Sequence, residues 1–385
     1  MKQFIFKNKV QRNILTFFIN QLVGSSSVVK VFILLFSFCL YITVAKAQIP
    51  VDLSDFDHQS GVTASAEEEV LDVRWPAGEE KEGRLVVDLQ QGRPLLKSIQ
   101  LSDRGKLQEI AGNLDLEFIL TVGKRSLERN GWTVFFDSPA YRPHESYLVA
   151  LDKKNAKVIS EGSRTRIIIG SANAGSFSGT IHMTVFNGSP LLKMEAVMAT
   201  EKDSVAIIYD AGLTSKQTVW DEIFWADPQD YIQSAEVGST AASKNVAVKY
   251  RTIIGESEGG SIALFPPPHQ YFYPLDNAYN LKYTWYGSNY REIIPDYGIG
   301  IRQDLMGDNR YVPWVNAPPN TQQRLSFFTL LSAEKMGEYL NGLSDSLMAT
   351  PTSLWRATKP WPVISIPNTL MTYSLISPCR RFPVM

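Results

Sequence analysis

The chain has four histidines in 385 residues, and one of them, His269, lies in FPPPHQYFYPLD, residues 265–276, among prolines and aromatic rings. An imidazole titrates near neutral pH, so a histidine beside a carboxylate can move a proton at an anomeric oxygen. The carboxylates nearest in sequence are Asp276, Glu292, Asp296, Asp304 and Asp308. Three consecutive prolines restrict φ and remove backbone donors, which makes a stiff segment that would present His269, Tyr271 and Tyr273 in a fixed geometry. Three roles stay open for His269: proton transfer, ligand contact and that of an ordinary loop residue. Contact is favoured over catalysis.

A second string, IRQDLMGDNRYVPW at residues 301–314, mixes charges and rings around a glycine. Sugars show CH faces and hydroxyl rims, so their sites combine flat apolar rings with flanking polar groups. Arg302, Asp304, Asp308, Asn309, Arg310 and Trp314, with Trp285 from the preceding TWYG, are the candidate sugar contacts. An internal Arg–Asp network bracing a long loop, with Trp314 in the core, is favoured over that sugar-contact reading. The oxygen donors of Asp304–Asn309 would also suit Ca²⁺, although the ladder and distal Glu of an EF-hand are missing. No other cofactor is expected.

Weaker candidates are set by composition alone. DLSDFDH (Asp52, Asp55, Asp57, His58) reads as a solvated acidic leader. WDEIFWADPQDY contains Asp221, Glu222 and Asp227, a possible glycosidase-type carboxylate set, but its Ile223, Phe224 and Trp225 read better as a buried run. His182 belongs on a strand face and His144, beside Pro143, in a turn. G-x-S-x-G, the P-loop, H-E-x-x-H and a strand-linked G-x-G-x-x-G are all absent from the sequence.

Elements that would carry these residues follow from the pattern. A basic leader and the 14-residue apolar run Val31–Val44 end in AKAQ, which reads as a signal peptide over residues 1–47, cleaved after Ala47. The expected destination is secreted or periplasmic, with no stable membrane span after cleavage. Cleavage removes six Lys/Arg and no acid, taking the net charge from −1 to about −7, which argues against nucleic acid as partner. Cys39 leaves with the signal and Cys379 is near the end, so no disulfide framework, thiolate metal site or cysteine nucleophile is expected.

After a flexible leader at 48–64, apolar/polar alternation dominates in GRLVVDLQQGRPLLKSIQL, EFILTVG, WTVFFD, SYLVALD, AKVISEG and TRIIIGSA. GTIHMTVFNGSPLLKMEAVMAT reads as a long hairpin around Asn-Gly. The fold expected for residues 65–345 is all-β, one large antiparallel β-sandwich, with a barrel as competitor and a short C-terminal helix from Ser332. Residues 346–385 lack Asp and Glu and have no period; they read as an irregular tail, frameshifted or truncated.

GTIHMTVFNGSPLLKMEAVMATEKDSVAIIYDAGL resembles the β-supersandwich of galactose-mutarotase-like and polysaccharide-lyase-associated domains. FPPPHQYFYPLDNAYNLKYTWYG with GIGIRQDLMGDNRYVPWVNAPPNTQQRLSFF resembles the N-terminal β region of large secreted bacterial proteins, some of which continue into a PHP-type metal-dependent hydrolase domain. The likeness spans roughly Leu71–Ser332, and the His/Asp-rich motifs of that hydrolase domain do not occur in this chain. It implies a carbohydrate-binding or substrate-positioning module, non-catalytic on its own, from a larger polysaccharide-processing or hydrolase protein. The alternatives are an active mutarotase- or lyase-like enzyme using His269 with a carboxylate, and a structural or interaction sandwich. Oligomeric state is not readable from the sequence.

Overall fold

The computed structural model describes residues 49–336 except 79, 104, 126–136, 138, 239–241, 268–270 and 273–280. The signal segment, nearly all of the expected C-terminal helix, the tail and most of WTVFFD therefore lie outside the described residues. The strands are β1 (Val51–Asp55), β2 (Thr63–Glu67), β3 (Val70–Gly78), β4 (Lys81–Asp88), β5 (Leu96–Asp103), β6 (Lys106–Lys124) and β7 (His144–Leu148). They continue as β8 (Ala150–Glu161), β9 (Arg164–Ala174), β10 (Phe177–Phe186), β11 (Leu191–Thr200), β12 (Val205–Ser215), β13 (Glu222–Ala226) and β14 (Ile232–Glu236). The last seven are β15 (Lys244–Val246), β16 (Ile253–Ser257), β17 (Gly260–Phe265), β18 (Thr284–Gly287), β19 (Tyr297–Ile301), β20 (Val315–Asn316) and β21 (Gln323–Ser332).

They form two sheets. The first has the order β1-β8-β9-β10-β11-β21-β17-β16-β13-β14; the second runs β15-β18-β19-β12-β6-β5-β4-β3-β2, with β20 on β12 and β7 on β6. Alternation decides which side of each strand faces the other sheet. Ile167 and Ile169 on β9, Met183 and Val185 on β10, Met194 and Ala196 on β11 and Phe327 on β21 point inward, opposite Phe118 and Leu120 on β6 and Tyr209 and Leu213 on β12. Phe118 and Phe327 meet across the gap with ring centroids 5.7 Å apart. Burial of each such side chain contributes roughly 1.5–3 kcal/mol. The sandwich expected from the sequence is the observed fold.

The expected β10–β11 hairpin forms, with Val185 paired to Leu192 and Gly188 at a φ of 82° in its turn. Two expectations are corrected. The leader is ordered: β1 adds to β8 in parallel, Lys157 bridges both Asp52 (3.2 Å) and Asp55 (2.5 Å), and Phe56 and Val62 are buried. The acids of DLSDFDH are thus held by a lysine on the neighbouring strand. His144 is not a turn residue but opens β7, with Nδ1 2.9 Å from the Arg142 carbonyl. Among the described residues no helix is long and apolar enough to cross a membrane.

Candidate functional site

Residues 304–312 turn twice in succession. The Asp304 carboxylate accepts the Met306 amide at 3.0 Å, and the Asp308 carboxylate accepts the Arg310 amide at 2.9 Å. Such side-chain-to-backbone bonds are why Asp initiates turns. The two turns fold the loop around a cleft of about 400 Å³ lined by Leu281, Asp304, Gly307, Asp308, Arg310, Tyr311 and Val312. Asp308 and Arg310 form a two-pronged pair, Nε 3.0 Å and Nη2 2.5 Å from the carboxylate. Arg310's side-chain bonds, then its amide, hold the Asp308 carboxyl down at about 2. It is therefore an acceptor and not a proton donor at physiological pH. The Arg310 guanidinium lies 5.3 Å from the Tyr311 ring, and Tyr283 anchors the loop by donating to the Tyr311 carbonyl at 2.9 Å.

Three of the residues singled out in the sequence, Asp304, Asp308 and Arg310, therefore share one cleft, with Asn309 half-buried in the same turn. Tyr311 and Leu281 were not anticipated; their apolar surroundings in sequence look like core. Among the described residues no group of three His, Cys, Asp or Glu is placed to hold a metal ion.

Other candidates are placed differently. His269 and Tyr273 lie outside the described residues. Tyr271 is an anchor rather than a presented ring: its hydroxyl donates to Gln323 at 3.1 Å and its ring meets Tyr209 edge-on at 5.5 Å. Arg302 is buried, donates to the Lys282 carbonyl at 3.1 Å and reaches Asp304 at 3.5 Å. Trp314 is buried, packs over Gly123, and its carbonyl accepts from Arg125. Trp285 is fully buried, stacked on Tyr290 at 4.0 Å above Gly212, Gly298 and Gly300. A Cβ at Gly300 would fall 2.4 Å from the Trp285 Nε1, so the glycines make the slot that the indole fills. Trp285, Trp314 and Arg302 are thus all three buried, and the Trp285 Nε1 has no hydrogen-bond partner. In WDEIFWADPQDY, Ile223 and Phe224 are buried, while Asp227 accepts the Gln229 and Tyr231 amides (3.0 and 2.9 Å), a turn role.

The outer face of the second sheet carries two further groups. Asp210 on β12, buried, accepts from Arg291 (2.7 Å), the Tyr290 hydroxyl (3.1 Å) and the Gln303 amide (2.9 Å). Glu117 on β6 sits across from Gly212, and its carboxyl is pushed up to about 8 by burial first, then by Asp115 and Asp296.

The outer face of the first sheet holds a cluster that sequence reading passed over, except for placing His182 on a strand face. Glu195 on β11 is buried and takes Arg324 of β21 in a fork (3.0 and 2.9 Å) and Lys193 at 2.7 Å. Burial alone would raise this carboxyl; the Arg324 fork and Lys193 outweigh it and hold it below its ordinary value. His182 on β10 is brought down to about 4, by burial first and the Arg324 charge next. The available signal was polar residues at outward positions of four strands in the hairpin region.

No family model and no curated protein matches the chain. Solved structures do. A GH36 α-galactosidase from Geobacillus stearothermophilus matches at 8% identity over 71% of this chain and 41% of that one, TM-score 0.39. A galactose mutarotase related enzyme from Lactobacillus acidophilus matches at 9% identity over 69% of this chain and 98% of that one, TM-score 0.37. An α-mannosidase from Enterococcus faecalis V583 matches at 8% identity over 74% and 31%, TM-score 0.34. The chain spans about two fifths of the length of the α-galactosidase it matches. Galactose-mutarotase-like structures are thus among those it is similar to. Identities below 10% and these TM-scores carry nothing about activity.

Proposed function

We propose that this chain is a secreted or periplasmic saccharide-binding β-sandwich module that holds its ligand in the 304–312 cleft without catalysis there. The cleft is the observation that carries the reading. It places carboxyl-oxygen acceptors, a guanidinium and a half-buried phenol ring around one opening, the mixture that a hydroxyl rim and a CH face require. Asp308 stays ionised and paired, which favours holding a ligand over protonating one. The test is a glycan-array screen of the full chain followed by calorimetry with the best ligand. Arg310→Ala is expected to weaken binding by about tenfold or more. Absence of binding to every glycan leaves a structural or interaction sandwich instead.

One observation favours a second reading, an active carbohydrate enzyme. Glu117 keeps its proton at neutral pH, as a general acid must. Anomeric exchange measured by NMR tests it: activity abolished in Glu117→Gln supports the enzyme, and no exchange above buffer in the native chain ends it.

A further inference from the structure

Two rows of side chains cross the outer face of the first sheet. In the first row the register runs Arg166 (β9), Thr184 (β10), Lys193 (β11), Phe328 (β21), Phe265 (β17). In the second it runs Ile168, His182, Glu195, Ser326. Paired residues of antiparallel strands point to the same side, so both rows project outward, away from the Met183, Met194 and Phe327 layer.

This face is over-supplied with donors. Arg166, Lys193 and Arg324 face only Glu195 and Glu161, which leaves one positive charge in excess. The Lys193 and Arg166 side chains are each 22% exposed and reach solvent. Beneath them three buried polar atoms have no hydrogen-bond partner: Arg166 Nε, His182 Nδ1 and Ser326 Oγ. An unmet buried donor costs about 1–3 kcal/mol, so three on one small face call for an explanation. Two of them sit on side chains more than nine-tenths buried, His182 at 7% and Ser326 at 0% exposure. His182 Nε2 is 2.9 Å from Thr180 Oγ1 and the neutral ring has its Nδ1 left over.

Beside the cations runs an aromatic strip. Phe328 stacks with Phe265 at 5.9 Å and with Phe186 at 6.5 Å, and Lys193 Nζ stands 5.7 Å from the Phe328 ring. Phe328 and Phe265 are only half-buried. A cation beside half-buried aromatic rings, with hydroxyl-sized hydrogen-bonding groups alongside, matches a ligand that has a carboxylate at one end and a CH face on the other. A uronic acid residue of an acidic saccharide has that pattern. The Arg166 guanidinium is half-used: Nη2 meets Glu161 at 2.5 Å while Nε is free, so one more carboxylate oxygen would complete its fork.

We propose that this face, around Arg166, His182, Lys193, Ser326 and Phe328, is a second binding site, specific for uronate-bearing saccharides. The choice of a saccharide rests on the proposed function; the site does not rest on the 304–312 cleft. Lys193 and Arg166 take the carboxylate, Phe328 packs the sugar's CH face, and His182 with Ser326 bonds its hydroxyls. No bond is made or broken.

The experiment titrates the full isotope-labelled chain with trigalacturonate and, in parallel, with the matched neutral trigalactoside, following chemical shifts. Trigalacturonate is expected to shift the Lys193, His182 and Phe328 signals, with the neutral trimer binding this face about tenfold more weakly or not at all. Lys193→Met with Arg166→Gln is expected to lose about tenfold in affinity for trigalacturonate, and Lys193→Arg to keep it. In Arg310→Ala the trigalacturonate shifts at Lys193, His182 and Phe328 are expected to persist, while any at residues 304–312 weaken. Equal binding of both trimers at this face, shifts confined to residues 304–312, or no response to trigalacturonate would overturn the site. Loss of trigalacturonate binding in Arg310→Ala alone would overturn it while leaving the proposed function standing. If the double variant does not fold, the native chain's shift map decides by itself.

Discussion

Each sheet buries one carboxylate on its outer face against an arginine, and the two settings differ in what is left over. Asp210 on the second sheet has both oxygens taken, and its partner Arg291 goes on to donate to Ser146 at 2.9 Å and Thr121 at 3.3 Å. Glu195 on the first sheet is equally well held, but His182, Ser326 and Arg166 around it keep unpartnered atoms, and the cations reach water. A polar group that is fully satisfied braces a loop. The second face also keeps unpartnered buried atoms, Thr214 Oγ1 and Trp285 Nε1, and Arg291 is as exposed as Lys193 or Arg166. The contrast that favours the proposed binding role of the first face is its cation in excess of its acids.

The largest effect should come from the second face. Trp285→Ala would empty the slot over Gly212 and Gly300 and is expected to cost roughly 3–5 kcal/mol in urea unfolding. Next, Asp210→Ala removes the counter-charge of Arg291 and is expected to cost about 3 kcal/mol, with saccharide affinity unchanged. A larger change in affinity than in stability would break the contrast between the faces.

Acid–base behaviour sharpens it. Glu117 has its folded pKa raised from 4.5 to about 8, so its contribution is present below 4.5 and lost as pH rises through about 8. His182 is lowered from 6.5 to about 4, so its contribution is present above 6.5 and lost as pH falls through about 4. Unfolding midpoints across pH should show both slopes; Glu117→Gln should flatten the alkaline one and His182→Gln the acid one. The smallest stability effect is expected for Lys193→Met, within about 1 kcal/mol, because the Arg324 fork still holds Glu195.

The sandwich was legible because alternation is a local property. Thr184, His182 and Thr180 alternate with Val185, Met183 and Ile181, and a one-residue slip would invert both faces. β1 was not legible: VDLSD is mostly polar, and only pairing with β8 and Lys157 makes it a strand. Trp285 and Trp314 looked like sugar platforms because rings beside charges are ambiguous in sequence. Their burial depends on glycines of other strands, Gly212 and Gly300 for one and Gly123 for the other. The Asp304–Arg310 loop could be read because its turn chemistry is local. The Glu195 cluster could not, since four strands each supply one or two of its members and only the register brings them side by side.

The binding role of this sandwich is tested most directly by mapping shifts of the labelled chain during titration with the neutral and the acidic trimer. The expected result is two separate footprints: the neutral trimer at Asp304, Arg310 and Tyr311, the acidic one at Lys193, His182 and Phe328. A chain whose spectrum moves with neither trimer, or whose shifts gather around Asp210 and Arg291, would contradict it.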